Sequence, residues 1–399
     1  MGCVAVPLAE LLAAQEPANA RRARAAHPKG MEPGVRYEAG EPAEVTVRLP
    51  QIPENEQAWR AQITAVTGMD IPEHRQVILT DVRYWGDRHE PYVYCRFRIT
   101  DRPDDRPDLD AVALLKRLRP RRPVKTAAFT GDTTLCASWN DWQVGKLEGG
   151  GTPALAERLD GAYDGVRDRA RELRRIGRDL GHLVILGGGD MVEGCQIFPN
   201  QQFEIDTDRR GQIRNTVILI LDGLDRLAPL FERVTLLVVP GNHGENRIRG
   251  HRVNRHDNDD CGVFEHAAQA AARDPRLDHV EFVIAQDEPA KTLDVHGHIL
   301  ATTHGQVFGR GAGSIEQRVW RWYSQQAAGR HPAGDADLLV THHFHHYAAA
   351  DWGSCLWVQT PAMDGGSAWL TDRTGHAAGP GMLTWVMSPE HRYVDHQIL

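Results

Sequence analysis

The 399-residue chain has no basic segment ahead of its first apolar stretch, MGCVAVPLAELLAAQ, so a signal peptide is not expected and a cytoplasmic setting is. No apolar run is long enough to cross a bilayer, and no membrane partner is expected. The opening Met1-Gly2-Cys3 does not complete a myristoylation motif, because Val6 stands where Ser or Thr is required. Its six cysteines form no CxxC pair, which argues against a zinc ribbon or a redox motif and leaves reduced thiols. Internal repeats and low-complexity tracts are absent, which excludes a solenoid. Positive charge is also short. A net charge of −8 argues against a protein that coats nucleic acid by bulk charge. The one basic cluster, Lys116 to Lys125, reads first as a solvated linker.

What remains is an ordinary globular composition, 41% hydrophobic and 25% charged, and a length that suits one large domain with a smaller companion. Residues 1–30, rich in Ala, Arg and Pro, are expected to be poorly ordered. Residues 31–118 read as a small α+β domain. Within it, Glu44–Leu49 alternates as a strand, Asn55–Thr67 carries Trp59, Ile63 and Val66 at helical spacing, and Gln76–Leu79 and Tyr92–Ile99 read as strands. Trp85-Gly86 reads as a turn, and a helix is expected over Asp108–Leu118. A basic linker, 119–125, precedes a large domain over 126–399. There the pattern alternates between strands at 134–138, 183–186 and 234–239 and helices at 153–178 and 214–231. Further strands are expected at 298–302, 338–341, 355–360 and 382–387.

In α/β sheets, ligands gather beyond the carboxyl ends of the strands. Here the first strand runs into Asn140-Asp141-Trp142-Gln143 and the second into Gly187-Gly188-Gly189-Asp190. The third runs into Pro240-Gly241-Asn242-His243-Gly244-Glu245, the fourth into Thr303-His304-Gly305, and the fifth into His342-His343-Phe344-His345-His346. Each motif alone has a plain alternative: an Asp after Gly caps a helix, a Gly-Asn-His turn holds a left-handed Asn, and histidines decorate surfaces. In this order, each delivers a metal-competent side chain just past a strand.

Together these motifs resemble the calcineurin-like metallophosphoesterases, whose pattern is Asp-x-His, Gly-Asp, Gly-Asn-His, a lone His, then Gly-His-x-His. The resemblance covers Thr126 to the C-terminus. In texture it is nearest to phage-type members and to the nuclease subunit of the SbcCD DNA-repair complex. It implies an α/β fold built as a β-sandwich flanked by helices. Asp190 would be the bridging carboxylate between two divalent cations. Asp141, Gln143 and His345 would complete one metal position; Asn242, His304 and His343 would complete the other. His243 would stand beside the metals without binding them. The expected activity is phosphoester hydrolysis by a metal-bridging hydroxide, with the cations roughly 3.5–4 Å apart and His243 as general acid. A nuclease on DNA or RNA is the leading expectation, with a second copy of the chain or an ATPase subunit as possible protein partner. A phosphatase or small-molecule phosphodiesterase is the alternative, and a non-catalytic binding protein a third.

Two departures from the pattern matter. Gln143 stands where the family has His, which favours manganese over zinc, with iron and magnesium still open. His342 stands where the last motif has Gly. Around the ligand set, Glu193 and Glu245 are candidates to orient a histidine, though Glu193 could instead be a first-turn carboxylate of a helix. Arg247 and Arg249 are candidates to bind a substrate phosphate. Phe198 and Phe203 read as aromatics anchoring a loop, with base stacking the alternative. Trp139 and Trp142 read as packing.

Overall fold

The computed structural model describes residues 27–36, 43–73, 75–86, 91–101, 131–198, 201, 204–248, 251–309, 312–366 and 379–399. The chain divides into two compact units between Arg106 and Pro107. The expected helix over 108–118 and the basic linker lie outside the described residues, as do Phe203 and Arg249.

The first unit is a four-stranded antiparallel sheet with one helix. Its strands are β1 (Gly34–Arg36), β2 (Ala43–Leu49), β3 (Arg75–Gly86) and β4 (Pro91–Asp101), in the order β1-β2-β4-β3. Helix α1 (Glu56–Thr67) starts where the Asn55 side chain accepts from the Ala58 amide, and stops at Gly68, which takes the left-handed conformation. Its Ile63 packs into a core with Val45, Val47, Val77, Cys95 and Phe97. Strand β3 is longer than the sequence suggests: it runs through Trp85 and Gly86 instead of turning there. An irregularity between Leu79 and Asp81 shifts its register and breaks the alternation that marks a strand in sequence.

The second unit is a mixed α/β assembly of two sheets and their helices. Strands β5 (Thr133–Trp139), β6 (Leu180–Gly187) and β7 (Arg233–Val238) run parallel. A short antiparallel pair follows, β8 (Arg247–Ile248) with β9 (His251–Arg252). Strand β10 (Val280–Ile284) extends the parallel set beyond β7. The second sheet has the order β11-β12-β13-β15-β14, from β11 (Ala290–Val295), β12 (His298–Thr303), β13 (Leu338–Thr341), β14 (Ala348–Asp351) and β15 (Leu356–Gln359). Strands β16 (Leu383–Ser388) and β17 (His391–Ile398) return to complete the first sheet, antiparallel beside β5.

One core takes residues from both sheets: Cys136, Val184, Leu186, Leu237 and Trp385 from the first meet Leu300, Leu338, Val340 and Val358 from the second. On the other face of the six-stranded sheet lie α2 (Gly151–Arg175), α3 (Arg209–Leu227) and α4 (Asp259–Ala271). Helix α5 (Ile315–Ala328) covers the five-stranded sheet. Strands covered on both faces favour apolar residues, so the Leu183–Leu186 stretch of β6 and the nearly uninterrupted apolar stretch of β7 were legible in sequence. Helix α3 is displaced towards the N-terminus from the expected 214–231. Asp208 caps it by accepting from the Gly211 amide, and it gives way at Leu227 to a 3-10 turn over Ala228–Leu230 that contains Pro229. Helices α4 and α5 were not among the expected elements, although α5 is amphipathic, burying Val319, Trp322 and Tyr323, and begins at a Ser314 capping box.

No helix among the described residues is long and apolar enough to cross a membrane.

Candidate metal centre

Five of the eight non-glycine residues with positive φ among the described residues are expected ligands: Asp141 (49°), Gln143 (46°), Asp190 (51°), His343 (76°) and His345 (58°). Left-handed backbone at such residues costs on the order of 1–3 kcal/mol each. It persists only where surrounding contacts dictate it. Here the strand-end turns lock one another. The Asp141 amide donates to the Gly189 carbonyl (3.0 Å) and the Gln143 amide to that of Asp190 (2.9 Å). Beneath them Asp260, at the start of α4, accepts from the amides of Asp190 (3.0 Å), Met191 (2.8 Å) and Gly241 (3.0 Å). The turns also need glycine for close approach. A Cβ on Gly241 would lie 2.2 Å from Asp190 Oδ1, and one on Gly188 would lie 2.4 Å from the His342 ring.

The turns bring Asp190, His304 and His343 together, with one ligand atom from each within 4.8 Å of the others. The Nδ1 proton of His304 goes to the Gly188 carbonyl (2.8 Å), which turns Nε2 towards Asp190 Oδ2 (2.9 Å) and His343 Nδ1 (3.1 Å). The other Asp190 oxygen, Oδ1, accepts the His243 amide at 2.7 Å. Asp190 thus faces two ways. Beside this triad, Asp141 Oδ1 stands 3.1 Å from His345 Nε2, while Asp141 Oδ2 accepts from Asn140 Nδ2 (2.7 Å) and from the His343 amide (3.3 Å). Asn242 follows Gly241 at the end of the β7 motif, and its Oδ1 is buried without a hydrogen-bond donor.

His243 is held from the far side. Its Nδ1 donates to the Glu193 main-chain carbonyl (2.9 Å), with the Glu193 carboxylate 3.2 Å away. Glu193 is itself fixed by Gln201 Nε2 (2.9 Å). Among the described residues no helix begins over 191–198, so Glu193 is not the first-turn carboxylate of a helix; it lies beside His243. Gln143 lies between two cationic side chains. Its Oε1 accepts from Lys146 Nζ (3.2 Å) and its Nε2 lies 3.3 Å from His243 Nε2.

Charge is balanced inside this cluster rather than by water. Burial works against the charge of His304, but the Asp190 carboxylate more than offsets it, and its pKa is raised to about 9. His243 is raised to about 10 against its burial by Asp190 and Glu193, and His345 to about 10 by Asp141 and Asp364. The Asp190 carboxyl is held well below the usual range despite burial, by His304 and His243. His343, by contrast, is pushed down to about 3 by burial and by neighbouring His304. His342 is a core residue between the Thr302 and Thr360 hydroxyls (3.0 and 2.6 Å), pushed down to about 3 by burial.

The donor set fits divalent cations. Buried acceptors converge, and one of them, Asn242 Oδ1, takes no hydrogen bond. Buried polar atoms without partners are uncommon and call for an explanation such as an ion. The mixture of carboxylate, amide oxygen and imidazole suits a hard-to-borderline metal.

Other expected members of the site behave differently. Arg247 is engaged by the Glu245 carboxylate (2.7 Å) and by the Ile197 carbonyl (3.3 Å). Phe198 anchors no loop core: it is 37% exposed, with its ring edge-on to His243 at 6.2 Å. Trp139 and Trp142 are buried, as packing requires. Three residues escaped sequence reasoning. Asp260 begins a helix with no sequence signal at the site, and Lys146 and Asp364 stand in loops whose relation to the motifs exists only in space.

No family model matches this chain, and no curated protein matches it. Among solved structures, it is similar to a conserved uncharacterized protein of Streptococcus pneumoniae described as a predicted phosphoesterase (10% identity, 67% of this chain and 97% of that one, TM-score 0.26). It is also similar to wild-type Vps29 of Entamoeba histolytica complexed with zinc (11% identity, 66% and 98%, TM-score 0.28) and to an archaeal phosphodiesterase (10% identity, 66% and 99%, TM-score 0.31). At these scores the likeness carries no argument, and the chemistry has to come from the site itself.

Proposed function

We propose that the chain is a dinuclear metal-dependent phosphoester hydrolase of the calcineurin-like type, with its two packed sheets forming the sandwich of that fold, acting on phosphodiesters and most readily on those of nucleic acid. The observation that carries this reading is the convergence of strand-end side chains from both sheets: Asp190 gathers with His304 and His343, and Asp141 pairs with His345. In this reading Asp190, Asn242, His304 and His343 hold one cation, and Asp141, Asp190 and His345 hold the other, with Gln143 at its edge. When bound, the cations neutralise phosphate charge and lower the pKa of a water nucleophile.

The chain's own groups do the rest. His243, oriented by Glu193 through Nδ1, presents Nε2 as the donor that protonates the leaving alkoxide. Asp260 fixes the Asp190 and Gly241 turns so that the bridging carboxylate cannot swing. Phe198, edge-on beside His243, offers an apolar wall to a base or sugar. The first unit is an accessory domain in this reading, and a second copy of the chain or an ATPase subunit is the candidate protein partner.

The test compares a chromogenic phosphodiester with the matching monoester in manganese, alongside single- and double-stranded DNA and RNA. Faster diester hydrolysis together with strand cleavage supports the nuclease reading. Preference for the monoester without strand cleavage transfers the reading to a phosphatase. One observation favours a non-catalytic alternative: the Gln143 oxygen accepts from Lys146. That alternative wins if purified protein retains no divalent metal and hydrolyses neither ester.

A further inference from the structure

Behind His345, on the side away from Asp141, lies a buried ion pair that the expected ligand scheme does not use. Asp364 is 3% exposed. Its Oδ2 stands 2.5 Å from Lys146 Nζ and 3.3 Å from His345 Nδ1. The approach to His345 is close enough for an ion pair but short of hydrogen-bond alignment, so the buried Nδ1 has no aligned acceptor. Lys146 has its donors distributed over three oxygens: Asp364, the Gly366 carbonyl (2.9 Å) and Gln143 Oε1 (3.2 Å). The segment is anchored at Met363. The Met363 amide donates to the Asp141 carbonyl (3.3 Å), and the Met363 carbonyl accepts from Arg158 Nε (2.9 Å).

We infer that Asp364 and Lys146 are positioning residues for the Asp141–His345 metal position: Asp364 accepts the Nδ1 proton of His345 and so fixes Nε2 as the ligating nitrogen, while Lys146 keeps Asp364 charged and sets the rotation of Gln143. This rests on the function proposed above. The physical grounds are general. A ligating histidine normally gives its second ring proton to a carboxylate, carbonyl or water, which fixes tautomer and ring orientation. Around His345, the carboxylate opposite Asp141 is Asp364. A bare carboxylate in that place would be costly to bury, and the Lys146 ammonium supplies its counter-charge. The pair also ties the two outer members of one metal position, His345 and Gln143, to a single cation-anion unit. The His304 side is built differently, since His304 Nδ1 donates to the main-chain carbonyl of Gly188. A change at Asp364 should therefore reach one metal position and spare the other.

Manganese titration of the full-length protein by calorimetry, with bound metal counted after gel filtration, tests this. Wild type is expected to bind two ions. Asp364→Asn should weaken one binding step about 10–100-fold and leave the other unchanged. Asp364→Glu, which keeps the charge, should recover part of the loss, and Asp364→Asn should add nothing in a His345→Gln background. Wild-type and Asp364→Asn proteins with two equal, unshifted binding steps would overturn the inference while leaving the hydrolase reading intact. So would an Asp364→Asn protein that is unfolded without metal, because Asp364 would then belong to the fold and not to His345. A wild type that binds no metal defeats the hydrolase reading, and the inference with it.

Discussion

Two histidines in the same unit, His304 and His182, are both withdrawn from water, and their surroundings drive them in opposite directions. His304, past the carboxyl end of β12, faces the Asp190 carboxylate, and its pKa is raised to about 9. His182, near the amino end of β6, has the Thr134 and Thr235 hydroxyls for partners (3.3 and 3.0 Å) and is pushed down to about 4 by burial, with Arg233 and His296 adding to the effect. Burial alone favours the neutral ring. The scaffold end of the sheet accepts that outcome and satisfies the ring with neutral hydroxyls. The other end works against it by burying carboxylates among the imidazoles, an arrangement that stays balanced only with positive charge in their midst. The contrast separates groups that serve the fold from groups that serve a cation.

Several substitutions can break or sharpen that contrast. Asp190→Asn has the largest expected effect, because it removes both the ligand proposed to be shared between the cations and the charge that raises His304. Turnover should fall below detection, and metal content by mass spectrometry should drop together with it. His243→Ala comes next. Turnover should fall by about 10²–10⁴-fold while metal content stays near that of wild type, since His243 is placed to donate a proton and not to ligate. Equal loss of metal and rate would move His243 into the ligand set.

The smallest effect is expected at the scaffold end. Because the folded pKa of His182 lies near 4 and the unfolded value near 6.5, the unfolded chain binds the extra proton between those pH values. Stability should thus be full above pH 6.5 and decline as pH falls towards 4, by on the order of 2–3 kcal/mol from this residue. Denaturant unfolding across that window should show the slope, and His182→Gln should flatten it. An unchanged slope in the variant would assign the acid sensitivity to other groups, His342 first among them.

The same contrast marks what the amino-acid sequence makes legible. The parallel strands β5, β6 and β7 each contain a short apolar stretch, and the polar motifs follow them, so the position of Asp141, Asp190, Asn242 and His243 could be read from one-dimensional order. The second sheet was only partly visible. Its central strands β12 and β13 are apolar, but its edges β11 and β14 are short and half-exposed. Residues that act through space were not legible at all. Asp364 reaches His345 from a loop 19 residues further on, and Lys146 reaches Asp364 from more than 200 residues away. Nothing in either local pattern distinguishes them from solvated charges. Gln143 was legible as a departure from the expected histidine, but its turn towards Lys146 required the geometry.

The dispersal of the motifs has a consequence for how the protein comes into being. The proposed ligands and their supports begin at Asp141 and end at Asp364, with each motif waiting on a separate strand. During synthesis, a ribosome that has released the chain through β7 has exposed Asp141, Asp190 and Asn242 but none of the histidines at 304, 343 and 345. A nascent chain therefore offers scattered weak donors and no chelating set, so the metal cannot template the early fold. In the proposed reading a metal would be captured only once both sheets have come together, so occupancy of the centre would report their assembly.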